Sequence, residues 1–328
     1  MSATDVPIVL PSNRPADRFY RGGRRITDLR GEAPARSHEP EDWIASVVAV
    51  FGAERVGRTV LPDGRALEGA LRDDPEGWLG AAHHAAFGAD PKLLTKLLDA
   101  GQRLPVHAHP DGAFAAAHLG RAHGKTEAWV VLEGGTVHLG LRRDVEGGAL
   151  RALVDGQDAD ALLDLLNPIE VAAGDGVLVP AGQLHAIGEG VLVLEVQEPE
   201  DLSILLEWRG FDLDGERDGH LGLGFDAALA AVTTERLEIT DAVLHRAASG
   251  SGRVLPQNAD AWFRVDRIEL AGAVTLDPSF AVLLVLEGEA RANGVLLPRG
   301  STAVVPHGAG PLRIAGEGVL LLCRPPGA

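Results

Sequence analysis

At 328 residues, 45% of them hydrophobic, the chain can bury two cores, and 41 glycines with 20 prolines favour short strands and turns over helix bundles. A formal net charge of −17, from 47 acidic against 30 basic residues, leaves no surplus cation to meet phosphate backbones or anionic lipid, so nucleic acid and membranes are excluded as partners. A single cysteine, Cys323, excludes an internal disulfide and a multi-cysteine zinc site.

The first 40 residues lack periodicity and read as an irregular arm with one short strand. Asp5, the absence of a basic start and the short apolar run do not match a secretory signal, so a cytoplasmic protein is expected. From 41 to 100 the pattern is helical in pieces: PEDWIASVVAVFG, GRALEGALRDDPEGWLGAAHHAAFG, and DPKLLTKLLDAG with Asp90 as N-cap and Pro91 at the first turn. His83 and His84 read there as solvated helix residues. From 101 to 210 short β runs alternate with turns, interrupted by the helical DGQDADALLDLLN. A helical connector is expected over 211–250, through GFDAALAAVTTERLEITDAVL, before β structure returns over 251–328. The two β regions repeat each other: VVLEGG at 130–135 matches LVLEGE at 284–289, and Gly174, Pro180 and Gly182 match Gly300, Pro306 and Gly308.

The chemistry concentrates in the first copy. His107 and His109 alternate on one strand face, which points both imidazoles the same way. Five residues separate Gly101 from His107, six separate Glu127 from Gly134, and two separate Gly182 from His185. This is the two-part signature of the cupin superfamily, and its three imidazoles and one carboxylate form an N/O ligand set for a divalent metal with positions left open. In the second copy Ala281 stands where Glu127 is and Pro311 where His185 is, so a ligandless second cupin is expected. Only three basic residues are lysine, Lys92, Lys96 and Lys125, which draws attention to Lys125 beside Glu127. His118 and His123 read as exposed, and His138 as a strand residue that could line the barrel mouth.

Beyond the cupin signature, PKLLTKLLDAGQRLPVHAHPD, GKTEAWVVLEGG and VPAGQLHAIGEGVLVLEVQEPED, with the long insertion PDGAFAAAHLGRAHGKT, closely resemble the class I mannose-6-phosphate isomerases. The resemblance runs from FYRGGRRI to the C-terminal cupin. It implies a mainly β chain of two jelly-roll cupins, a metal-binding one followed by a ligandless one, with a helical segment alongside, and a zinc-dependent exchange of an aldose with its ketose. The family's ligand positions fall on His107, His109, Glu127 and His185; the first is Gln in the family, and the change to His widens the expected metals from Zn to Mn, Fe, Co or Ni. Lys125, Glu41, Glu195 and Asp201 take the family's polar site positions, with Glu195 and Asp201 as acid and base candidates and Lys125 binding substrate oxygens.

Two family positions are lost: a substrate-binding Ser is Pro105, and a pocket Arg is Leu205. Glu207 and Arg209 follow on the same strand face and are the candidates to replace the missing contacts. The expected partner is therefore a sugar or sugar phosphate, with weakened recognition of a phosphate unless another group supplies it. Two other functions fit the ligand set: a cupin oxidoreductase using Fe or Ni, and a non-catalytic sugar-binding protein.

Overall fold

The structure, a computed structural model, describes residues 4–246 and 250–327. It is mainly β, in three antiparallel sheets. The first half builds two of them. A six-stranded sheet runs in the order Val243–Leu244, Gly176–Val179, Glu127–Glu133, Leu192–Gln197, Leu94–Asp99, Glu41–Ile44. A five-stranded sheet runs Ile204–Leu205, His107–Ala108, His185–Ile187, Gly135–Leu141, Leu166–Val171.

Strand alternation sorts the apolar residues of the six-stranded sheet between two cores. Leu98, Trp129, Val131, Val177 and Val193 face inward and pack with Val137, Leu139, Ile169 and Ile187 of the other sheet, filling the barrel. Leu97, Val130, Leu178 and Leu194 face outward against the helices Leu67–Asp73 and Pro75–Leu79 and against Phe263, Val282 and Leu321 of the second half. The helices Gly147–Gly156 and Ala159–Asp164 cover the outer face of the five-stranded sheet through Leu150, Val154 and Leu162.

The second half forms a seven-stranded sheet built on long strands, Arg264–Leu276, Ala281–Ala292 and Leu312–Arg324, which enclose an apolar core of their own. The repeat read from the sequence extends to hydrogen-bonding register. In the first half Glu127 pairs with Val179 and Val130 with Gly176. In the second, Ala281 pairs with Val305 and Leu284 with Thr302, the same pairs under the motif alignment.

The arm from residue 4 links both halves. Its strand Ile8–Leu10 joins the second-half sheet beside Thr302–Val305, and the chain then returns to the mouth of the first barrel.

Three helical expectations are corrected. DPKLLTKLLDAG carries the strand Leu94–Asp99, buried on both faces between two neighbours, so its Leu spacing reflects two apolar sides rather than one helical stripe. Lys92 at φ 55° blocks the helical start expected at Pro91. PEDWIASVVAVFG holds the strand Glu41–Ile44, ended by Ala45 at φ 53°. In the 211–250 connector, of which 247–249 lie outside the described residues, the helix stops at Ala228 and a 3-10 turn ends at Ala231. Val232, Thr233 and Thr234 are β-branched, and Thr233 donates its N–H to Gly182 instead.

Candidate active site

His107 and His185 are cross-strand partners in register, and His109 follows two residues on, so the five-stranded sheet presents three imidazoles to one point. Their ligand atoms all lie within 4.8 Å of one another, and all three rings are buried. Each Nδ1 meets a backbone carbonyl: Pro105 at 2.8 Å from His107, Leu202 at 2.6 Å from His109, Gln183 at 2.9 Å from His185. A carbonyl only accepts, so each Nδ1 carries the proton and each Nε2 turns its lone pair inward, the arrangement of metal-ligating histidines. Burial, with the neighbouring imidazoles, pulls His107 well down; burial and the Lys125 ammonium hold His109 down to about 3. His107 and His109 are therefore neutral at ordinary pH, as ligation requires. His185 Nε2 is buried without a hydrogen-bond partner.

Glu127 approaches from the opposite sheet. Its Oε2 lies 3.1 Å from His109 Nε2 and its Oε1 3.4 Å from His185 Nε2, while Trp129 Nε1 donates to Oε1 at 3.0 Å. Lys125 sits between them, ion-paired to Glu127 and 2.8 Å from His109 Nε2. Burial disfavours the Glu127 carboxylate, but Lys125 and the histidines outweigh it and keep the group ionised. Three inward lone pairs, an ionised carboxylate and one unpartnered buried nitrogen fit a divalent cation.

Beside this centre the inner face of the six-stranded sheet carries a charged lattice. Register places Lys96 opposite both Glu195 and Trp43. Lys96 Nζ lies 3.7 Å from Glu41, 3.6 Å from Glu195 and 3.9 Å from Asp201, and 4.3 Å from the Trp43 ring centroid. Arg18 reaches in from the arm, its Nε donating to Glu41 at 3.1 Å and its Nη1 3.5 Å from Asp201. Tyr20 and Trp43 also donate to Glu41, the latter at 2.6 Å, and the Phe51 N–H donates to Asp201 at 3.0 Å.

The two acid and base candidates differ. Burial opposes ionisation of Asp201, but Arg18 and Lys96 bring it down to about 2. Burial and the nearby Glu127 charge push Glu195 up, and Lys125 and Lys96 offset only part of that.

The cavity thus joins His107, Glu127, His185, Lys125, Glu195, Asp201 and Glu41, with His109 behind Lys125. It does not include Glu207 or Arg209. Glu207 is turned to Arg103 in a two-point ion pair at 2.5 and 2.8 Å and accepts the Val106 N–H, so its charge is used in holding the sheet edge. Arg209 is exposed, and its backbone N–H packs on Gln157. Both substrate-binding expectations are corrected: the strand Ile204–Leu205 ends before reaching them. Leu205 is the cross-strand neighbour of His107, and Pro105 lines the cavity. His83 is buried, bonded to the Asp90 carbonyl at 2.7 Å, and His123 is half-buried against the Asp90 carboxylate at 2.8 Å, so neither is solvated as expected; His118 is exposed. Lys96, Arg18 and Tyr20 are additions. The scarcity of lysine was the one signal for Lys96; Tyr20 lies in FYRGGRRI, where the resemblance begins, and nothing in the aperiodic arm marks Arg18.

No family model matches the chain. Among curated proteins it is 38% identical over 157 residues to the mannose-6-phosphate isomerase of Streptococcus mutans, covering 46% of this chain and 47% of that protein. It is 27% identical over 316 residues to mannose-6-phosphate isomerase ManA of Bacillus subtilis, covering 90% and 92%. The chain is thus similar to mannose-6-phosphate isomerases over nearly its whole length. The fold is shared as well. The solved mannose 6-phosphate isomerase of Bacillus subtilis superposes with a TM-score of 0.69 at 22% identity, covering 97% of this chain and 99% of that one. A mutant phosphomannose isomerase from Salmonella typhimurium gives 0.75 at 17% identity, covering 98% and 100%. No described helix is long and apolar enough to cross a membrane.

Proposed function

We propose that this chain is a mannose-6-phosphate isomerase, which interconverts mannose 6-phosphate and fructose 6-phosphate, with zinc held by His107, His109, Glu127 and His185. The observation that carries the reading is the pairing of an inward-facing imidazole cluster with Glu195, a buried carboxylate held above its ordinary range beside it. When bound, the metal supplies Lewis-acid stabilisation of negative charge developing on the sugar oxygens.

The protein groups divide the remaining work. Aldose–ketose exchange moves a proton between C2 and C1, so one group must accept it and return it. Glu195 is suited to this: among the described residues its carboxylate has one ion-pair partner, Lys96 at 3.6 Å, and no hydrogen bond, and its raised pKa makes it a better proton acceptor than Asp201. Lys96 balances the charge of Glu195 as the proton moves. Lys125 donates to a substrate oxygen. Asp201 and Glu41, bound by Arg18, Lys96 and neutral donors, are positioning residues that fix the two cations.

The test is conversion of mannose 6-phosphate followed by NMR on zinc-loaded protein, with metal content measured in parallel. Conversion should cease on chelation and in His109→Ala, which should also lose the metal while remaining folded. Absence of conversion, or conversion that survives both treatments, rejects the proposal.

A further inference from the structure

We infer that Arg18, brought from the N-terminal arm, is the residue that recognises the anionic end of the sugar remote from the metal. The inference rests on the isomerase reading above and adds the group that selects among its substrates.

The metal cavity adjoins an outer pocket, its mouth, lined by Phe51, Leu205 and Asp218, and Arg18, Phe19, Asp201 and Ser203 line both. A sugar whose C1 and C2 lie at the metal end therefore directs its far carbon toward the mouth. Arg18 is the cation among the side chains that line it.

The two mouth carboxylates are already engaged. Asp201 receives the Phe51 N–H at 3.0 Å and lies 3.9 Å from Lys96. Asp218 is held by both arms of Arg217, at 2.8 and 2.7 Å. Arg18, in contrast, bonds Glu41 through Nε and approaches Asp201 through Nη1, and among the described residues its Nη2 donates to no protein acceptor. Its guanidinium carbon stands 5.7 Å from the Phe19 ring centroid and 6.0 Å from that of Trp43, so two aromatic rings and two carboxylates fix the plane of the fork before a ligand arrives. A planar fork that lines the mouth and has one nitrogen not engaged by the protein matches the oxygens of a phosphate or carboxylate. The apolar Leu205 on the other side of the mouth has no donor to offer.

The experiment compares wild type, Arg18→Gln and Arg18→Lys as zinc-loaded enzymes. kcat/KM is measured for mannose 6-phosphate and for mannose, and inorganic phosphate is titrated calorimetrically into each protein. Arg18→Gln should lower the ratio of the two kcat/KM values about 10- to 100-fold, chiefly through KM, and weaken phosphate binding by a similar factor, with partial recovery in Arg18→Lys. An unchanged ratio, with both substrates falling together, overturns the inference: Arg18 would then only position Glu41 and Asp201. If wild type turns over neither sugar, the isomerase reading fails by itself. The phosphate titration still decides Arg18, because equal affinity in wild type and Arg18→Gln overturns its role.

Discussion

Three buried carboxylates lie within 4 Å of Lys96, and two of them, Glu195 and Asp201, are not equivalent, a difference that underlies the tasks proposed for them. Asp201 is fixed by Arg18 and a backbone N–H; Glu195 is held by burial and by the Glu127 charge in a state that takes up a proton more readily. Glu195→Gln keeps the shape and removes the acceptor, so kcat should fall about 10²- to 10⁴-fold while zinc content and KM change little. Steady-state kinetics with metal analysis checks this; a kcat near wild type removes Glu195 from proton transfer. The proposed ligand residues are readable in the sequence because each sits in a short motif of fixed spacing: His107 and His109 at alternate positions, His185 just beyond Pro180 and Gly182. Lys96 and Arg18 are not, because they reach the site only through pairing of Leu94–Asp99 with Leu192–Gln197 and through the path of the arm. Glu207 and Arg209 misled for the converse reason: alternation continues only as long as the strand does.

At the scale of elements, the misread segment is Leu94–Asp99, whose leucines satisfy a helical period but whose two faces serve two different cores. Leu97 packs outward toward the second half, and Leu98 inward with Trp129. Periodicity cannot separate a strand buried on both sides from a short buried helix, and only the neighbours decide. The contact between halves is tight along this sheet. An added Cβ at Gly176 would lie 1.8 Å from the carbonyl oxygen of Val254. Gly176→Ala must therefore displace backbone, and we expect a loss of about 1–3 kcal/mol in denaturant unfolding. A midpoint equal to wild type would show that the two halves can slide apart freely.

For the whole molecule, the buried histidines couple stability to pH. In the metal-free protein His109 titrates near 3, against about 6.5 in an unfolded chain. Its neutral form is favoured by folding, so the unfolded chain binds more protons below pH 6.5, and stability falls as pH drops from there toward 3. Asp201 adds a second loss between its unfolded value of about 3.9 and its folded value of about 2. Melting temperatures in chelator should fall between pH 7 and 5, and less steeply in a variant lacking His109; a flat profile over that window contradicts the assignment. Zinc should raise the curve most at the neutral end, since the same protons compete with the metal.

The shared register of the two halves leads to one more consequence. At corresponding strand starts one barrel carries Glu127 and the other Ala281, and the second keeps its fold on an apolar interior. The fold does not need the charges. Four carboxylates, two lysines and three imidazoles held out of water in the first barrel are thus a standing handicap to durability, one that the proposed reaction accounts for. Converting the Lys125–Glu127 pair to apolar side chains of similar size, as Lys125→Met with Glu127→Leu, should abolish zinc binding and yet raise the melting temperature of the metal-free protein. A lower melting temperature would mean that the pair holds the barrel together as well as serving the reaction.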